Sequence, residues 1–172
     1  MKNKFLMGLV GCILIIGVTG CGQKEQKMEN LLNNPKDTSV KTAIEKVEGV
    51  KSICLVTENN DPNGQLNKDG GYTGAVFFRL TQVDEIIAKE DGTPYGSDSC
   101  EVGTTGGGQI EIYANEKDAK KRNEYLATSD GTFLASFHSV RGTLVIRLSD
   151  DLTATQQKAI EEKIFNVLNE KK

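Results

Sequence analysis

The chain has no tryptophan, one histidine, three prolines and four cysteines in 172 residues, and aromatic residues are only 6% of it. Each scarcity removes a class of function. A single imidazole, His138, is too few for a histidine-based metal site. Any nucleophile–base–acid set would have to run through it, and no local serine motif supports one. With no tryptophan and few other aromatics, a sugar-stacking surface has little to build from. Lys and Arg number 21 against 24 Asp and Glu, which speaks against a nucleic-acid partner, since phosphate binding needs clustered basic side chains. After residue 20 no apolar run is long enough to span a membrane. The pairs Asp84-Glu85 and Asp150-Asp151 read as a solvated helix face and a turn or cap, and nothing singles out two acids for glycoside hydrolysis. No catalytic residue, cofactor or metal ligand is assigned.

What is present begins at the N-terminus. Lys2 and Lys4 precede an uncharged, mainly apolar run of 14 residues, Phe5 to Val18. That is shorter than the roughly 20 residues of a spanning helix and fits the h-region of a signal peptide. Val18-Thr19-Gly20-Cys21 follows, and has the form of a lipobox. The reading is cleavage between Gly20 and Cys21, with a diacylglycerol on the Cys21 sulfur. Two acyl chains suffice for stable anchoring, at about 0.8 kcal/mol per buried methylene. Residues 1–20 are then the signal peptide, and 21–38 the lipidated cysteine and a tether rich in Gln, Lys, Glu and Asn. Residues 39–172 form one domain of ordinary size. Loss of Lys2 and Lys4 takes the formal charge from −3 to −5. The mature chain is therefore a poor electrostatic binder of anionic lipid, and the acyl chains must do the anchoring.

Within the domain, Thr38 or Ser39 can cap a helix with Val40, Ala43, Ile44 and Val47 on one face, and Gly49 ends it. Val50 to Thr57 reads as a strand, and so does Ala75 to Leu80, whose second face carries Phe77, a hint of helix cover or a contact surface. Gln82 to Lys89 has helical spacing. Gln109 to Tyr113 alternates as a half-buried strand. Asn115 caps a helix to about Thr128, with Ala119, Arg122 and Leu126 on one face and Tyr125 beside them. Thr132 to Val140 and Thr143 to Leu148 form a hairpin around Arg141-Gly142. Thr153 to Gln156 resembles a capping box ahead of a stripe of Ile160, Ile164, Val167 and Leu168. The pattern predicts an α+β fold: a mainly antiparallel sheet with helices on one face, as a two-layer sandwich, its C-terminal half ferredoxin-like.

Two loops hold ten of the fourteen glycines that follow Cys21. In the first, 59–74, Asn59, Asp61, Asn63 and Gly64 mimic the start of a calcium loop. The twelfth position is Gly70, where a bidentate Glu is needed, so turn chemistry is preferred. In the second, 91–108, Gly103 and Gly106 to Gly108 run into a strand rather than a helix and lack the Lys-Ser/Thr of a phosphate loop. Function concentrates in loops, and the candidate binding residues are Asp61, Asn63, Asp69 and Tyr72 in the first and Tyr95 and Asp98 in the second. Cys54 and Cys100 are an even pair in an oxidising compartment. Bridged, they close a loop of about 47 residues, worth roughly 4 kcal/mol in the chain-entropy model. The alternative is two separated thiols. They lack the CxxC spacing of a redox enzyme.

Three stretches carry a resemblance: Gly70-Gly71-Tyr72-Thr73-Gly74-Ala75-Val76-Phe77-Phe78; Ile110-Glu111-Ile112-Tyr113 running into Glu116 to Arg122 and Tyr125-Leu126; and Gly142 to Ser149 with Leu152-Thr153. Together they resemble small lipoproteins of Gram-positive bacteria, over most of residues 46–168. The resemblance implies an outer-leaflet location in a single-membrane cell and carries no activity with it. The expectation is a membrane-anchored, non-enzymatic binding or accessory module that meets an envelope protein or cell-wall component. An envelope hydrolase built on scattered carboxylates, and a small solute-binding lipoprotein, are the alternatives.

Overall fold

A computed structural model describes residues 31–90, 96, 98–131 and 136–170. The signal peptide, Gly20, Cys21 and Tyr95 lie outside the described residues. Among those described, no helix is long and apolar enough to cross a membrane.

The chain is α1 (Asp37–Ile44), β1 (Val50–Leu55), β2 (Gly74–Leu80), α2 (Thr81–Glu90), a short α3 (Ser99–Val102) with a 3-10 turn (Gly103–Gly106), β3 (Gly107–Ile112), α4 (Glu116–Ala127), β4 (Phe137–Arg141), β5 (Leu144–Leu148) and α5 (Ala154–Leu168). The strands lie in the order β1-β2-β3-β5-β4, and every pairing is antiparallel. This is the α+β domain that the alternating and helical periodicities predict. The local signals at α4 and α5 hold as well. Asn115 Oδ1 accepts from Asp118 N at 3.0 Å. Thr153 and Gln156 close a reciprocal capping box.

One face of the sheet builds the main core. Val76, Phe78, Leu80, Ile110, Ile112, Leu144, Ile146 and Leu148 point to it and are fully buried. Val40, Ala43, Ile44 and Val47 cover it from the first helical segment, and Ile160, Ile164 and Leu168 from α5.

The helices do not all lie on that face, which corrects the two-layer expectation. Ala119 and Leu126 of α4 pack with Tyr113, Val145, Ala75 and Phe77 in a second cluster on the opposite face. Cys100 of α3 joins them, and Phe77 is 1% exposed beneath this cover. The order β3-β5-β4 follows a ferredoxin-like half. However, α4 and α5 pack against opposite faces of it, where a ferredoxin-like arrangement has both helices on one. The cause lies in β3. Gln109 and Glu111 read as its solvent side, yet both are 0% exposed. Arg122 reaches down from α4 to pair with Glu111, so a polar face becomes a buried one.

The domain also starts before residue 39. Leu31 and Leu32 pack against the main core, and Thr143 N donates to Leu32 O at 2.9 Å. Asn34 N donates to Thr143 Oγ1 at 2.5 Å. The β4–β5 turn receives this strap because Gly142 has φ +59° and no Cβ, and a Cβ there would lie 1.9 Å from Leu32 O. A substitution would need to break both constraints.

The two glycines that open β3 are explained by packing. Gly107 and Gly108 open β3, and a Cβ on either would come within 2.5 Å of Phe78. Arg79, buried on the second face, donates to Asp84 and to Gly96 O, and Lys51 Nζ lies 2.9 Å from the other Asp84 oxygen.

Candidate functional site

The two loops have different fates. In the second, Asp98 caps α3, its Oδ1 accepting from Cys100 N at 2.8 Å. Cys100 is disulfide-bonded to Cys54 of β1, with their Cα atoms 5.5 Å apart. Ser52 Oγ and Ser99 Oγ lie 2.6 Å apart in the same seam. Cys54, Asp98 and Cys100 are the one close cluster of three potential metal ligands among the described residues. Its two sulfurs are committed to each other and its carboxylate to a helix cap. The described part of this loop therefore staples α3 to β1.

The first loop makes a wall. Asp61 organises it: Oδ1 accepts from Asn63 N at 3.0 Å and from the Tyr72 hydroxyl, and Oδ2 accepts from Leu66 N at 2.8 Å. Burial acts to raise the Asp61 pKa, but these hydrogen bonds outweigh it and hold the carboxyl below its ordinary value. Of the calcium-like oxygens, both of Asp61 thus serve internal donors. Asp69 stays exposed on the same loop and does not line the cleft described next.

Behind the wall lies the cluster that covers β3. Arg122 grips Glu111 with two hydrogen bonds, Nε to Oε2 at 2.9 Å and Nη2 to Oε1 at 3.0 Å. The Tyr113 hydroxyl donates to Glu111 Oε2 at 2.7 Å. Arg147 approaches from β5, its Nη1 3.7 Å from Glu111 Oε1 and 3.4 Å from Gln109 Oε1. Burial lowers the Arg147 pKa, with Glu111 opposing the shift. Burial pulls on Arg122 in the same direction, but the Glu111 hydrogen bonds dominate and the net shift is upward. Burial, reinforced by the adjacent carboxylates, pushes both Tyr72 and Tyr113 well above the ordinary phenol value. Both hydroxyls therefore stay protonated and act as donors.

Between loop and helix runs a cleft of about 440 Å³, inside the usual range for small-ligand sites. Asn63, Gln65, Gly70 and Gly71 line one side, Lys121, Arg122 and Tyr125 the other, with Tyr72 and Tyr113 between. Three of the four tyrosines meet here. Tyr125 is 64% exposed and is the one exposed large hydrophobic side chain among the described residues. The Arg122 guanidinium sits over its ring, 5.5 Å from the centroid.

Of the predicted binding residues, Asn63 and Tyr72 line the cleft and Asp61 braces it, while Asp69 and Asp98 do not belong to it. Sequence reasoning misses Glu111, Tyr113, Lys121, Arg122 and Tyr125. A signal existed: an Arg on the buried face of a predicted helix and a Glu in the preceding strand, two opposite charges in search of each other. His138 stands apart from the cleft and ties β4 to α4 and to the turn after it, Nδ1 lying 2.8 Å from Asn123 Oδ1 and Nε2 3.1 Å from Asp130 Oδ1. A second open groove lies between Arg141 and α5, where Arg141 is ion-paired with Glu161 and stacked on Phe165.

Among the described residues two carboxylates, Asp61 and Asp84, are shifted, and both are shifted down. For Asp84, burial opposes ionisation, and the hydrogen bonds and charges of Lys51 and Arg79 overcome it. A folded-state pKa below the ordinary 3.8 contributes stability that is fully present above that pH. It is lost as pH falls through the depressed folded value. Urea midpoints should therefore fall between about pH 5 and pH 2.5. Asp84→Asn should be less stable at neutral pH and lose stability less steeply in acid. An Asp84→Asn acid slope equal to that of the unmodified protein would remove Asp84 as a source of the effect.

No family model matches the chain, and no curated protein or solved structure matches it either.

Proposed function

We propose that this protein is a lipid-anchored binding module on the outer face of a membrane, with the cleft between residues 61–72 and α4 as its ligand site. The single observation that carries the site is the convergence of three tyrosines and Arg122 on that cleft, with Tyr125 exposed at its rim. An exposed aromatic beside a braced loop is what recognition uses: large contact area at small loss of conformational freedom. The anchor rests on the order of charge, apolar run and Val18-Thr19-Gly20-Cys21. The partner is an envelope component within reach of the tether. Enzymatic chemistry has less to stand on, because Asp61, Asp84 and Glu111 are each tied to donors or cations within the domain.

Two readouts on one preparation test this. The intact mass of protein purified from its membrane should match residues 21–172 plus diacylglycerol. A mass retaining residues 1–20 or lacking lipid overturns the anchor. Pelleting with envelope material from the same cells should be lost in Tyr125→Ala, whose exposed position leaves stability within about 0.5 kcal/mol of the unmodified protein. Equal pelleting of both forms overturns the cleft.

A further inference from the structure

The walls of the cleft carry the chemistry of its ligand. Arg122 spends Nε and Nη2 on Glu111, and among the described residues no partner engages its Nη1. Lys121, on the same wall, is exposed and likewise has no partner among them. The one acid lining the cleft, Asp118, accepts from the neutral amide Asn115 Nδ2 at 2.8 Å and keeps its charge. Behind the wall, one carboxylate, Glu111, faces two guanidiniums, Arg122 and Arg147, which leaves one positive charge in excess. With Lys121 set against Asp118, and Asp61 on the facing wall, the cleft as a whole is near neutral, and its cationic donors are gathered on the α4 wall.

The rest of the cleft suits a hydroxyl-bearing ring. One face of the Tyr125 ring carries Arg122, and its 64% exposure leaves surface for a ligand to lie on. Opposite are the amides of Asn63 and Gln65, which both donate and accept, as hydroxyl groups require. Gly70 has nothing within 4 Å of where a Cβ would be, so a ligand can approach its backbone closely.

Resting on the binding-module reading, we propose that the cleft takes an acidic sugar, its ring against Tyr125, its hydroxyls toward Asn63 and Gln65, and its carboxylate at Lys121 and the free end of Arg122. The fully occupied Glu111 edge of Arg122 fixes the guanidinium, so the ligand meets a preorganised donor.

Calorimetric or NMR titration of the full lipidated chain in detergent with D-glucuronate, D-glucose and acetate tests this. Glucuronate should bind at least tenfold more tightly than either glucose or acetate, and its affinity should fall as salt rises. Lys121→Ala should weaken glucuronate severalfold and leave glucose unchanged, while Tyr125→Ala should weaken both sugars. Equal binding of glucuronate and glucose overturns the anionic part, and equal binding of glucuronate and acetate overturns the ring. If no probe binds but Tyr125→Ala still abolishes envelope pelleting, the acidic-sugar chemistry is wrong and the cleft stands. If neither is seen, both readings fall together. Lys121 and Tyr125 are chosen because their exposure separates binding from folding, which Arg122 would not.

Discussion

Glu111→Ala is expected to cost about 3–5 kcal/mol of unfolding free energy. The residue is 0% exposed and accepts from Arg122 twice and from Tyr113 once. Its removal leaves two guanidiniums facing each other under α4, one with its pKa already lowered by burial. A buried ion pair adds little to net stability, because desolvation offsets attraction. Losing one partner is costly because the other charge stays buried and uncompensated. Glu111→Gln should fall between, since its amide oxygen still accepts but no longer neutralises. Urea denaturation gives the result directly, and the slope m should stay constant if the fold survives. A loss below about 1 kcal/mol would mean that water reaches the cluster, and Arg122 of α4 would not seal Glu111 from solvent.

Loss of the Cys54–Cys100 bridge should have a comparable effect by another route. The bridge spans a sequence separation of 46, enclosing the cleft loop, β2 and α2. The chain-entropy model gives roughly 4 kcal/mol, which for a domain of this size is about 10–15 °C in melting temperature. The loss should be the same on reduction and in the Cys54→Ser, Cys100→Ser double variant. Hydrogen exchange should rise first at α3 and the 3-10 turn after it, since the bridge holds α3 against β1. The core strands β3 and β5 should keep their protection relative to global unfolding. A melting temperature indifferent to reductant would show that the native packing, not the bridge, holds α3 in place.

Much of the fold was legible because it is written in local patterns. The stripe of Ile160, Ile164 and Leu168 places α5 whatever it packs on. Asn115 and Thr153 mark helix starts through side-chain oxygens that satisfy free backbone amides nearby. The alternation in Gln109 to Tyr113 and the turn at Gly142 place β3 and the β4–β5 hairpin. Cys54 and Cys100 stood out as a candidate pair because they are the two cysteines within the domain.

The site was mostly hidden, for a reason that β3 makes plain. Alternation says which residues share a face and not what covers that face. Glu111 looks solvated in sequence and is sealed in the fold, because Arg122 lies eleven positions on and only the packing of α4 over β4 and β5 brings it within reach. Composition likewise counts tyrosines and cannot tell that three of the four line one cleft. The sequence by itself determined the elements, their caps and the candidate bridge, since these depend on neighbours a few residues apart or on cysteine arithmetic. Only the tertiary structure decided that both sheet faces are covered, that residues 31–34 belong to the domain, and that the first loop faces α4 across a cleft. Those outcomes depend on contacts between residues distant in the chain, where many pairings satisfy the same local pattern and packing selects one.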